Sequence, residues 1–151
     1  MNGRRALLAL TILAAPGVAG AQSRGAPAPP LALPAGMSPL PQGAYRVIFR
    51  GPEVALPAGA AEVLAEIGRR MAASPAGSGR ITVEAQSSGP RNDASTARRL
   101  SLERANAVRK ALAAGGLDET RVDVRALGRT PEGLDAADIL PPGVTRTGRR
   151  G

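Results

Sequence analysis

Residues 94–115, ASTARRLSLERANAVRKALAAG, restrict the architecture of this chain more than any other stretch. Leu100, Ala105, Val108 and Leu112 recur at steps of three to five residues, which lays one apolar stripe along an α-helix. Arg98, Arg99, Glu103, Arg109 and Lys110 fall mostly off that stripe and are expected to face water. Asp93 stands at the N-cap position, and Gly115-Gly116 supplies the left-handed exit that helix ends favour. Arg104 falls beside the apolar seam, at the edge of whatever the helix packs on.

The flanking segments suggest what receives this helix. Residues 45–49 alternate Tyr45, Val47 and Phe49 with Arg46 and Ile48, a strand-like run that Gly51-Pro52 ends. Residues 57–73 carry Ala60, Val63, Leu64, Ile67 and Met71 at helical spacing behind Pro57, a good first-turn residue. Residues 80–86 and 121–127 alternate again, through Ile81, Val83 and Ala85 and then Val122, Val124 and Ala126. The order is strand, helix, strand, helix, strand. This predicts an α+β two-layer sandwich, with both helices on one face of a small sheet and the other face wet. Residues 129–151 show no confident element, so the domain (44–151) is expected to end in a poorly ordered tail.

The N-terminus reads as an export signal over residues 1–21. Arg4-Arg5 precedes a ten-residue apolar run at 6–15, Pro16-Gly17 breaks it, and Ala19-Gly20-Ala21 offers a cleavage site. That run is shorter than the ~20 residues that span a bilayer, so no transmembrane segment is expected in the mature chain. The arginine pair leaves both the general and the twin-arginine route open. Residues 22–43 hold Pro27, Pro29, Pro30, Pro34, Pro39 and Pro41 among small residues and read as an extended linker. Loss of Arg4 and Arg5 from 20 basic residues leaves 18 against 12 acidic ones, with Lys110 the only lysine.

Inventory removes most enzyme classes. With no His and no Cys there is neither a Ser-His nor a Cys-His nucleophile pair, no usual zinc site, no disulfide and no lipid-bearing cysteine. No phosphate-cradling glycine motif is present. Ser101 and Lys110 lie nine residues apart on one helix, too far for a dyad; Asp135 with Asp138 could bind a hard cation weakly, but in the tail reads as a solvated pair. The chain is expected to be no enzyme and to need no cofactor. Nucleic-acid binding would want stacking aromatics, and there is one Tyr and one Phe.

Binding remains. The run Leu100-Ser101-Leu102-Glu103-Arg104-Ala105-Asn106-Ala107-Val108 matches the L-S-x-x-R-A-x-x-V helix of the OmpA-like peptidoglycan-associating domain, which the chain resembles from about residue 45 to 150. The strand ending at Phe49, the leucine-bearing first helix, the 81–85 strand, Gly116, Arg121-Val122 and Leu127-Gly128 follow in that family's order. The resemblance implies a periplasmic or outer-membrane-associated module that grips the diaminopimelate of the stem peptide. An aspartate after the second strand takes the ligand's ammonium and the motif arginine takes its carboxylate, a match of two-pronged donor to two oxygens.

Arg104 carries over onto the arginine, whereas Ser88 stands at the acid's place. Hydrogen bonds to charged groups are worth about 1.5–3 kcal/mol, so this loss implies binding weakened at least ~tenfold. Asp93, five residues on, is either the helix cap or, with the loop folded back, a substitute acid. Arg104 itself is either the clamp or an arginine whose stem covers the seam while its head caps a carbonyl or pairs with an acid. Gly148-Arg149-Arg150 keeps only part of the family's closing Asn-Arg-Arg, so the last strand is expected to be short or missing. Two functions follow: noncovalent association with peptidoglycan, or a fold that has lost the ligand and serves structure or envelope-protein contacts.

Overall fold

The computed structural model describes residues 28–74 and 79–146. The stretch read as an export signal (1–21) and Arg149-Arg150 lie outside the described residues. The compact unit begins at Leu31. Its elements are β1 (Met37–Pro39), β2 (Tyr45–Ile48), α1 (Ala60–Ala73), β3 (Ile81–Gln86), α2 (Ala94–Ala114), β4 (Val122–Gly128) and β5 (Ala136–Leu140). The sheet runs β1-β2-β5-β3-β4, antiparallel throughout except for the parallel β3–β4 pair.

Two expectations change here. The second half of the expected linker belongs to the fold: β1 pairs with β2 (Met37 opposite Val47), and Leu31 and Leu33 pack against the core. Prolines at 34, 39 and 41 hid a strand of three residues, since Pro is tolerated at sheet edges where its missing N–H costs nothing. The expected tail contains β5, the strand read as short or missing. It lies between β2 and β3, pairing Val47 with Ala137 and Val83 with Ile139, and all five of its residues are buried. Burial on both faces erases the alternation that marks a half-exposed strand.

Val47, Phe49, Ile81, Val83, Ala137 and Ile139 form the helix-facing side of the sheet. Leu64, Ile67, Ala105, Val108 and Leu112 pack on it. The stripe that α2 buries is Ala97, Ser101, Arg104, Ala105, Val108, Ala111 and Leu112, so Ser101 and Arg104 lie in the seam and Leu100 is only half-buried. The helices touch backbone to backbone: a Cβ on Gly68 would overlap the Leu112 carbonyl, and one on Gly115 the Ala65 carbonyl. Gly116, with φ at 102°, makes the left-handed exit.

The opposite face of the sheet is less wet than alternation suggests. Asp138 is fully buried there, bonded by Arg46 at 2.7 and 2.8 Å and by Arg146 at 3.1 Å. Glu132 joins through Arg146 at 3.0 Å and Gln86 at 3.2 Å. The Asp138 hydrogen bond raises the Arg46 pKa against the opposing effect of burial.

Candidate functional site

Arg104 leaves the middle of α2 on the side shared by Ala97, Ser101 and Val108, because positions three and four apart lie on one helix face. Its side chain has no solvent exposure. A charge buried so fully must be matched by partners, since an unpaired one costs several kcal/mol. Nε donates to the Glu53 carbonyl at 2.9 Å and Nη2 to the Gly51 carbonyl, both in the β2–α1 connection. Nη1 donates to the Gln86 carbonyl at 3.2 Å and to Asp135 Oδ1 at 2.6 Å. Cζ lies 5.0 Å from the centre of the Phe49 ring, within cation–π range. Four of the five guanidinium N–H donors are thus engaged.

Asp135 is the residue that sequence reasoning missed. It precedes β5 directly, on the same side of that strand as Ala137 and Ile139, and side chains alternate by two along a strand. It therefore points to the helix layer and meets Arg104, while Asp138 points the other way. The expected solvated pair of acids is in fact two separate ion pairs, one on each face of the sheet, each with one fully buried partner. Only the placement of β5 reveals this, and the Ala-Ala-Asp sequence gives no strand signal to place it by.

Ser88 closes the other side of the same carboxylate. Its N–H donates to Asp135 Oδ1 at 3.1 Å and its hydroxyl to Oδ2. Burial works to raise the Asp135 pKa, but the Ser88 hydroxyl, the Arg104 guanidinium and the Ser88 N–H outweigh it and hold the carboxyl below its ordinary range. Ser88 is exposed and the Asp135 side chain is 17% exposed, so the pair reaches solvent where Arg104 does not.

The structure therefore brings Ser88 and Arg104 together on Asp135, and leaves Asp93 out. Both oxygens of Asp93 serve the helix cap, accepting from Thr96 N at 2.9 Å and Thr96 Oγ1 at 2.6 Å. Those two bonds, the hydroxyl's first, lower its pKa. Motif residue Ser101 is structural: it donates to the Ala97 carbonyl at 2.9 Å and accepts from Gly128 N at 3.0 Å, fixing α2 to the end of β4. Among the described residues no group of three or more acidic side chains could hold a metal ion, and no helix is long and apolar enough to cross a membrane.

The arrangement is similar to known folds. The chain superposes on the peptidoglycan-associated lipoprotein from Burkholderia pseudomallei with a TM-score of 0.54 at 18% identity, over 63% of this chain and 87% of that one. The periplasmic domain of Helicobacter pylori MotB gives 0.51 at 14% identity, over 72% and 87%. The OmpA-like domain of FopA1 from Francisella tularensis gives 0.50 at 13% identity, over 76% and 81%. At these identities the likeness is one of fold. No curated protein sequence matches the chain. The OmpA family model matches residues 48–138, from the end of β2 into β5, and with more than half of the chain accounted for, the protein belongs to the OmpA family.

Proposed function

We propose that this protein is an exported, non-enzymatic OmpA-like module that associates noncovalently with peptidoglycan, in the periplasm or at the outer membrane. The observation that carries the reading is that the Arg104 site holds a carboxylate. Guanidinium, main-chain N–H and hydroxyl converge on one carboxylate group, the chemistry needed for the acid end of a stem-peptide diaminopimelate. That the carboxylate comes from the chain's own Asp135 favours a second reading, in which the fold persists as a structural or protein-interaction module.

Co-sedimentation with purified sacculi separates them. The wild type is expected in the pellet and to be released by free diaminopimelate. Arg104→Lys keeps the charge and loses the fork, and should cut retention at least ~fivefold. A wild type that stays in the supernatant, while folded by circular dichroism, removes the first reading in favour of the second.

A further inference from the structure

We propose that Asp135 is a built-in occupant of the Arg104 site, so that any external carboxylate must displace it to bind. The inference rests on the reading of this site as one for a stem-peptide carboxylate, and it identifies what limits that binding. The two-pronged grip that suits an arginine to a carboxylate takes two parallel N–H donors from one edge of the guanidinium. Arg104 has one uncommitted donor and no exposed surface. Of its four partners three are main-chain carbonyls of the framework, at Gly51, Glu53 and Gln86. Asp135 is the sole side chain among the four and therefore the one partner that a rotation about Cα–Cβ can remove.

The Asp135 backbone is fixed. Its carbonyl accepts from Phe49 N at 2.8 Å, extending the ladder between β2 and β5. The carboxylate is thus presented to Arg104 from a hydrogen-bonded base and is replaced only by side-chain rotation toward solvent, on the side where Ser88 is exposed. Ser88 latches it from outside through N–H and hydroxyl. An aspartate at position 88 could not act as this latch, because its carboxylate would repel that of Asp135 and has no proton to donate. The serine and the occupant make one device: the negative charge absent at position 88 is supplied from 47 residues downstream and spent on the arginine. A resident that holds the guanidinium nine-tenths of the time lowers the apparent affinity for a competing carboxylate about tenfold.

The test is titration of meso-diaminopimelate into the wild type, Asp135→Asn, Asp135→Ala and the Asp135→Ala/Arg104→Lys double variant by calorimetry. The Arg104 Nε–H resonance is followed in parallel. Affinity is expected to rise in the order wild type, Asp135→Asn, Asp135→Ala, by at least ~tenfold overall, and the double variant should lose the gain. Asp135→Asn keeps the side-chain shape, so it preserves the comparison if the alanine variant fails to fold. Wild-type affinity equal to or above that of both single variants overturns the proposal. If no variant binds diaminopimelate, the stem-peptide reading fails, and sodium acetate then tests the occupant alone. Acetate that shifts the Arg104 resonance in Asp135→Ala and leaves it unmoved in the wild type upholds the occupant. Acetate that moves neither resonance, or moves both alike, overturns it.

Discussion

Gly68→Ala tests the helix layer on which the site rests, because two opposing effects of known size meet there. On propensity alone, alanine in a helix interior gains about 1 kcal/mol over glycine. Gly68 is buried in α1, and the added methyl would overlap the main-chain carbonyl of Leu112 in α2. A carbonyl in a helix cannot rotate aside, so the helices must part and loosen the packing of Leu64, Ile67, Val108 and Leu112. Overpacking of this kind costs typically 1–3 kcal/mol, and a clash against backbone belongs at or above the upper end. The net expectation is a destabilisation of about 2 kcal/mol, or roughly 5–10 °C in Tm for a unit of this size. Gly115→Ala meets the Ala65 carbonyl across the same interface. The double variant should therefore cost less than the two singles together, because helices already parted admit the second methyl. Thermal unfolding by circular dichroism measures all three. A Gly68→Ala protein with unchanged or raised Tm, the plain propensity result, refutes the close approach of the helices.

Three further outcomes are expected. Asp138→Ala leaves Arg46 and Arg146 facing an empty place on the sheet and should cost about 3–5 kcal/mol in urea unfolding, as removal of one partner from a buried ion pair does. Asp93→Ala should cost about 1 kcal/mol through the lost cap, with sacculus retention unchanged, since both its oxygens serve Thr96. Asp135 has a lowered pKa in the folded state, so its contribution to stability is present above the ordinary carboxylate pKa of about 4 and is lost as pH falls through its folded value. The stability gap between wild type and Asp135→Asn should accordingly be widest near neutrality and shrink below about pH 4; a gap independent of pH contradicts the Asp135–Arg104 pairing.

How much of this was legible in the sequence depended on how each element is buried. Helix α2 was expected at 94–115 and runs Ala94–Ala114, because one apolar face and a real cap mark it. The strands at Tyr45–Ile48, Ile81–Gln86 and Val122–Gly128 fall within a residue or so of their alternation, and α1 begins a turn after Pro57, behind Gly59 in the left-handed region. β5 was illegible because it is buried on both faces and opens with two alanines and an acid, none a strand former, which leaves only Ile139 and Leu140 to mark it. The same omission hid the site's chemistry. Arg104 and Ser88 could be named from the motif, but their meeting point is a side chain aimed by an unread strand. Arg104 caps three carbonyls and pairs with an acid, and it lies inside the seam rather than at its edge.

The position of β5 in the sheet also sets an order of assembly. β1 with β2 and β3 with β4 are two strand pairs that share no ladder hydrogen bond until β5 enters between them. A chain emerging N-terminus first can form either pair but cannot join them before residue 136 has appeared. Arg104 likewise has no carboxylate to neutralise it until residue 135 arrives. Closure of the sheet and pairing of the buried guanidinium therefore both depend on the same short C-terminal stretch, residues 135–140.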